Sequence, residues 1–365
     1  MRIAHLADAH LGFRQFQRLD ADGVNRREMD VALAFRRAVD QVIARRPDAI
    51  IIAGDLFHTV RPTNRAIIEA FTQLQRLRHE LPAAPLVLIA GNHDTPRSLE
   101  AGSILKLMVS LGVDVVDDEP RRLTYPLLDL AVLAVPHAAL LRARPEEGYR
   151  PDAHARFNVL VMHPEIAGLF PEVMDYGGAR VDAADLQSTD WTYVALGHYH
   201  VVHEVAPRAW YAGSLEYTSP NLWGEVREEE RRGLTKGWLL ADLATGGVER
   251  VALPPGRRIL ELPWLDAEGV TAAELDAAIA ERIAGVPGGV ADAVVRLVVQ
   301  NVPRSLGHAL DHAALRVHKA AALHFQLDLR RPDPFTRTVG VGGPARRQLL
   351  PDLVAGYLGR RPLDA

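Results

Sequence analysis

Five short segments of the 365-residue chain concentrate side chains that bind metal ions. They are Asp8 and His10 in LADAHLG, Asp55 and His58 in AGDLFH, and Asn92, His93 and Asp94 in AGNHD; then come His163 in LVMHPE, and His198 and His200 in LGHYH. Carboxylate, amide oxygen and imidazole together suit Mn²⁺, Fe or Zn better than an all-oxygen cage suits Ca²⁺. The chain has no cysteine, which excludes thiolate sites, disulfides and cysteine nucleophiles. Asp8, His10, Asp55, Asn92, His163, His198 and His200 are enough ligands for two octahedral-like sites with positions left for water. One carboxylate must then bridge, and Asp55 is the natural choice. Two cations about 3.5–4 Å apart stabilise the attacking and leaving oxygens of an in-line displacement. The expected chemistry is phosphoester hydrolysis. Singly, each segment has a plainer reading: Asp-x-His as a polar strand end, and GDLFH as a turn with a helix cap. It is the set of five that points to metal.

The elements that must position these residues can be read from hydrophobic periodicity. Apolar runs at Arg2 to Ala7, Ala49 to Ala53 and Leu86 to Ala90 alternate with helical patterns at Met29 to Ala44 and Thr63 to Glu80. Later strands are expected at Leu130 to Val135, Val159 to Met162, Tyr193 to Leu196 and Gly237 to Asp242. Such alternation argues for a layered α/β fold, in which sites form at the carboxyl ends of strands. Residues two apart on a strand point the same way, so Asp8 with His10, and His198 with His200, can each face one cleft. Glycines precede Asp55, Asn92 and His198, where tight turns are needed. His5 lies inside the first strand and is assigned to the core, whereas His137, His154 and His203 have no matched partner.

A break is expected at Leu253 to Arg258, LPPGRR. After it come a strand (Ile259 to Leu262), a helix (Ala272 to Ala284), a strand (Val294 to Gln300), a helix (Asp311 to Ala322) and a strand (Phe325 to Asp328). A Pro/Gly-rich linker then leads to a terminal helix at Arg346 to Leu358, with Leu350, Val354 and Leu358 on one stripe. No apolar run approaches the roughly 20 residues needed to span a bilayer, and a cytoplasmic location is the default expectation. Net charge is -4 with histidine neutral, and only three of the 42 cationic residues are lysine: Lys106, Lys236 and Lys319. Global charge does not decide nucleic-acid binding, because a local basic lip can bind phosphates. Arg14, Arg18, Arg26 and Arg27, near the first motif, and Arg61, near the second, are the candidate lip.

The order Asp-x-His, Gly-Asp, Gly-Asn-His-Asp, lone His, Gly-His-x-His resembles that of the calcineurin-like metallophosphoesterases. Three longer stretches are similar to the SbcD-type DNA-repair exonucleases, the nuclease partners of the SbcC ATPase. These are HLADAHLGFRQF, AGDLFHTVRPTN, and YAGSLEYTSPNLWGE followed by KGWLLADL. The resemblance covers residues 1 to 245 and, loosely, the small domain after them. It implies a four-layer αββα sandwich over 1–256, a small α+β capping domain that contacts DNA over 257–330, and a linker with a short helix over 331–365. One metal would sit on Asp8, His10, Asp55 and His200, and the other on Asp55, Asn92, His163 and His198. His93, oriented by Asp94, and His58 would face the scissile phosphate. The resemblance also implies Mn²⁺, a DNA substrate, an SbcC-type ATPase partner and a homodimer built on helices near the second and third motifs. The apolar stripes there are Ile67, Phe71 and Leu74, and Leu105, Met108 and Leu111. Ala7 stands where the family commonly has serine, and the tail after the cap is short.

The function expected is a Mn²⁺-dependent DNA exonuclease, with endonuclease activity as a further expectation. The rival is a phosphodiesterase acting on a small nucleotide or phosphorylated metabolite. An extra domain of about 75 residues and an Arg-rich lip favour the larger substrate. A binding protein with a decayed metal site ranks last, since all seven ligands are present.

Overall fold

The computed structural model describes residues 1–96, 102–142, 148–169 and 178–332. Its first strands, β1 (Arg2–Leu6), β2 (Ala49–Ile52) and β3 (Leu86–Ile89), are almost wholly apolar and buried. That is the composition of parallel strands covered on both faces. Helix α1 (Arg26–Arg45) joins β1 to β2, and α2 (Asn64–Glu80) joins β2 to β3. Helix α1 starts three residues earlier than its apolar periodicity suggests. The cause is Asn25, whose side chain accepts from the Arg27 and Glu28 amides and caps the first turn. Thr63 caps α2 in the same way, through the Ala66 amide.

Strands β4 (Asp114–Val116), β13 (Gly237–Asp242) and β14 (Gly247–Ala252) complete a six-stranded sheet of order β14-β13-β1-β2-β3-β4. A second sheet has the order β11-β12-β10-β7-β6-β5. Its strands are β5 (Arg121–Tyr125), β6 (Leu130–Val135), β7 (Phe157–Met162), β10 (Tyr193–Leu196), β11 (His203–Ala206) and β12 (Ala209–Tyr211). In both sheets the central strands run parallel. A short pair, β8 (Pro164–Ile166) and β9 (Ala179–Val181), leaves the end of β7.

Three apolar cores stack these layers. The first packs α1, α2 and a 3-10 helix (Ile104–Leu111) on the outer face of the first sheet. The second, with Ile3, Ile51, Val87, Val132, Val159 and Ala195, fills the space between the sheets. The third lies on the outer face of the second sheet under a thinner cover that includes the one-turn helix α3 (His137–Leu140) and a 3-10 turn at Ala183–Leu186. The result is the four-layer α/β arrangement expected from the motifs. His5 is fully buried between the sheets, its Nδ1 3.0 Å from the Tyr193 hydroxyl.

The apolar stripes proposed for a dimer face inward. Leu74, Leu105 and Met108 are completely buried in the first core, and Ile67, Phe71 and Leu111 pack partly against it. The large apolar side chains left exposed there are Ile68, Leu107 and Val109. The stretch Ser103 to Leu111 holds a 3-10 helix (Ile104–Leu111) capped by Ser103, not an α-helix.

The chain divides into two compact units. Among the described residues, the first comprises Met1–Glu261 with Gly288–Val295 and Val317–Phe325, and the second comprises Leu262–Pro287, Arg296–Arg316 and residues 326–332. Residues 257–332 hold a three-stranded sheet of β15 (Ile259–Asp266), β16 (Val294–Gln300) and β17 (His324–Leu329), with helices α5 (Ala272–Ala284), α6 (Arg304–Ala309) and α7 (His312–Ala321). Helix α4 (Leu222–Arg232) belongs to the first unit. The expected terminal helix at Arg346 to Leu358 lies outside the described residues. Among the described residues no helix is long and apolar enough to cross a membrane.

Candidate metal centre

All five motifs sit just past the carboxyl ends of parallel strands: β1, β2 and β3 of one sheet, and β7 and β10 of the other. The two sheets therefore bring them to one edge of the sandwich. Asp8 and His10 come together at one centre, Asp8 buried beneath the cleft that His10 lines, but not through strand alternation. Strand β1 ends at Leu6, and both residues have left-handed backbone, φ 52° and 48°. Asp55 (φ 51°) and His198 (φ 102°) are also left-handed. Such conformations are costly for residues other than glycine and persist only where the surroundings enforce them. Here the loops after β1 and β2 are zipped together: the amides of Asp8, His10 and Leu11 donate to the carbonyls of Gly54, Asp55 and Leu56.

The glycines before the ligands are spacing devices. A Cβ on Gly91 would overlap the Asp55 carboxylate, and one on Gly54 or Gly197 would overlap the His163 ring. Only glycine lets these backbones approach so closely.

The ligand atoms fall into two groups. His10 Nε2 lies 3.0 Å from His200 Nε2, 4.0 Å from Asp8 Oδ1 and 3.7 Å from Asp55 Oδ2. On the other side, Asn92 Oδ1 is 3.1 Å from both His163 Nε2 and His198 Nδ1. Asp55 Oδ2 stands between the groups, 3.3 Å from His163 Nε2, while its Oδ1 accepts the His93 amide at 2.8 Å. His163 Nδ1 donates to the Ala53 carbonyl at 2.7 Å. That bond fixes the tautomer and leaves Nε2 as the coordinating atom. Asp8 accepts the His198 amide on both oxygens, and its Oδ1 is 3.9 Å from both His163 and His200. Triads Asp8–His10–His200 and Asp8–Asp55–His163 each bring three ligand atoms within 4.8 Å of one another.

The electrostatics suit cations. Burial pushes the Asp8 carboxyl up to about 8, with neighbouring Asp55 adding to it and His163 opposing. Burial acts the same way on Asp55, but His163 and His10 outweigh it and hold that carboxyl well below the usual range. For His163, burial is outweighed by Asp55 and Asp8, which raise it to about 9. A divalent cation held here would stabilise the ionised carboxylates and the neutral imidazoles in the place of those protons. The donor types, the carboxylate of Asp55 between the two groups and the glycine cradle all fit divalent ions.

His58 and His93 line the open side, their rings stacked with centroids 5.0 Å apart. The pairing of His93 with Asp94 does not hold. Asp94 is fully buried and accepts the amides of Leu56, Phe57 and Gly91 at 3.0–3.2 Å. The His93 ring is held instead through Nδ1, which donates to the His58 carbonyl.

The arginine lip is also revised. Arg27 is 1% exposed and bound to Asp30, Glu216 and the Tyr217 carbonyl, so it is closed to a phosphate. Arg18 donates to the carbonyls of Lys319 and Leu323, and Arg26 pairs with Asp292. Arg14 lines the cleft beside Glu28, and Arg61 is exposed.

The cleft over the metal centre encloses about 650 Å³. Its far wall was not anticipated: Tyr199, the loop Thr218–Asn221, and Gly224, Glu225 and Glu228 of α4. Behind that wall lies a buried lysine, Lys236, contacting Ser214, Glu225 and Glu229. Its rarity in an arginine-rich sequence was the available signal.

Residues 1–202 match the family model for calcineurin-like phosphoesterases. Similar curated proteins are named DNA double-strand break repair protein Mre11. The one from Methanopyrus kandleri is 29% identical over 272 residues, covering 68% of this chain and 55% of its own length. That from Methanocaldococcus jannaschii is 32% identical over 254 residues, covering 67% and 63%. That from Sulfurisphaera tokodaii is 30% identical over 210 residues, covering 54% and 49%. The chain thus spans about half to just under two thirds of the length of these relatives. With a match over more than half its residues, and with every expected ligand gathered at one edge of an αββα sandwich, the chain belongs to the calcineurin-like phosphoesterase family.

Proposed function

We propose that this chain is a two-metal DNA phosphodiesterase of the SbcD type, an exonuclease with endonuclease capacity that works in DNA repair with Mn²⁺. The observation that carries the reading is the placing of Asp55 Oδ2 between His10 and His163, as a carboxylate bridging two cations must stand. The choice of DNA follows the names of the Mre11 relatives.

Asp8, His10, Asp55 and His200 would hold one ion, and Asp55, Asn92, His163 and His198 the other. When bound, the pair supplies positive charge for an in-line displacement at phosphorus. The chain's own contribution is on the open side. The bond from His93 Nδ1 to the His58 carbonyl leaves Nε2 for the cleft. From there the ring would donate to the leaving oxygen or to a non-bridging one. His58, stacked on His93 and 3.4 Å from His10 through Nδ1, fixes that ring's plane and borders the phosphate position. Of the expected lip, Arg61 is exposed and Arg14, paired with Glu28 through Nε, keeps the rest of its guanidinium for backbone phosphates.

A homodimer and an SbcC-type ATPase complete the proposal, with the second unit gripping DNA. The exposed Ile68, Leu107 and Val109 are the apolar side chains on which two copies would meet. The test is a parallel assay with Mn²⁺ on duplex DNA, single-stranded DNA and a generic phosphodiester. DNA hydrolysis at least tenfold faster than that of the generic ester supports the reading. Hydrolysis of the small ester alone transfers the site to small nucleotides or phosphorylated metabolites.

A further inference from the structure

We infer that Lys236 is a positioning residue for the metal centre, its buried ammonium tying the backbone of His200 to the helix that walls the cleft. The inference rests on the two-metal reading.

The Lys236 side chain is 0% exposed. Its Nζ lies 3.1 Å from the His200 carbonyl, 3.0 Å from Ser214 Oγ and 3.0 Å from Glu229 Oε1, and it also pairs with Glu225. The Tyr217 ring stands 4.5 Å away. An ammonium has three protons to give and accepts nothing, so every proton here has a partner. A buried charge is tolerated only when paired and hydrogen-bonded in this way.

The partners sit on separate elements. Glu225 and Glu229 are one turn apart on α4, and Tyr217 donates to Glu229 at 2.6 Å. Glu225, Gly224 and Glu228 of that helix line the cleft. The His200 carbonyl, held also by the Ser214 amide at 3.0 Å, belongs to the residue whose Nε2 meets His10. A single cation thus contacts the backbone of a ligand and the wall facing it. The residue type fits the task. The chain uses 39 arginines (42 cationic residues less three lysines), yet lysine stands here. A compact ammonium converges on four clustered acceptors, whereas a planar guanidinium does not.

A purely structural role and a positioning role differ in what they do to the two ions. His200 serves only the ion shared with Asp8 and His10. Loss of Lys236 should therefore weaken that ion and spare the one held by Asn92, His163 and His198. Partners that orient ligands from behind typically contribute about 10–100-fold in metal affinity.

The test titrates the full chain with Mn²⁺ alone by calorimetry, with metal content counted by mass spectrometry. Wild type should show two binding events, and His200→Ala and His163→Ala assign them. Lys236→Met combined with Glu225→Gln removes the cation and one carboxylate together, and circular dichroism checks its fold. The expected result is a loss of about 10–100-fold confined to the event that His200→Ala abolishes. Ser214→Ala, a smaller change, should weaken the same event alone and serves if the double variant does not fold. Equal weakening of both events, or two events with wild-type constants, overturns the inference. A wild-type chain that binds a single ion overturns the two-metal reading beneath it, and does so before any variant is measured.

Discussion

His93 is oriented by the backbone of His58: its Nδ1 lies 2.7 Å from that residue's carbonyl oxygen. The loop after β2, which carries Asp55, therefore also aims the His93 ring in the cleft. The bond leaves metal ligation and ring placement separable. His93→Ala should lose about 10²–10⁴ in nuclease rate, the usual worth of general acid help, with both ions retained. His163→Ala should lose metal. Metal content measured beside turnover checks both, and loss of metal from His93→Ala would assign that residue to ligation.

Asp94 has a different task from the one its position beside His93 suggests. It collects the Leu56, Phe57 and Gly91 amides, stitching the Asp55 loop to the Asn92 loop. Asp94→Asn places a donor against donors in a fully buried position. Stability should fall by about 1–3 kcal/mol, and metal occupancy with it, because both loops carry ligands. Thermal unfolding and metal analysis read this out. A variant with normal metal and normal stability but slow turnover would instead restore the His93 pairing.

The motifs and their order, the strands that precede them and the layered fold were legible in the sequence, because apolar runs and glycine-flanked ligands are local signals. Tyr193–Leu196, Gly237–Asp242 and Ala272–Ala284 have the bounds that periodicity gave. The left-handed backbone of Asp8, His10, Asp55 and His198 was not legible. For the first three it goes with hydrogen bonds between loops some 45 residues apart, such as that from the Asp8 amide to the Gly54 carbonyl, and for His198 with the bond from its amide to the Asp8 carboxylate, far away in the sequence. Arg27 read as a surface charge, because its partners Glu216 and Tyr217 lie at the other end of the domain's sequence. The same holds for Lys236 and His200, joined only in three dimensions.

The buried His5 makes the fold sensitive to acid. Burial lowers its pKa from near 6.5 to about 3. In the unfolded chain it takes up a proton as pH falls below 6.5, whereas the folded chain does not until about 3. Stability is lost across that window, by about 1.4 kcal/mol per pH unit. His5→Phe should flatten the dependence of metal-free unfolding free energy on pH by about one proton. Denaturant unfolding between pH 4 and 7 measures it, and an unchanged slope contradicts the assignment.

The dimer proposal depends on side chains that the core leaves outside. Ile68 is 65% exposed and Leu107 is 48% exposed. Ile68→Glu with Leu107→Glu should convert a dimer to a monomer while barely changing stability, since exposed positions typically shift it by about 0.5 kcal/mol or less. Light scattering across a concentration series decides it. A wild-type chain that is monomeric throughout removes the dimer.

In the proposed centre one carboxylate, Asp55, would serve two ions at once. Asp55→Asn is the most direct test of this, measured as bound Mn²⁺ per chain and as the rate of duplex DNA hydrolysis in the same preparation. Both ions should be weakened, and the rate should fall further than in His10→Ala, His163→Ala, His198→Ala or His200→Ala. An Asp55→Asn chain that keeps two ions, or that retains more activity than those single-histidine variants, would contradict it.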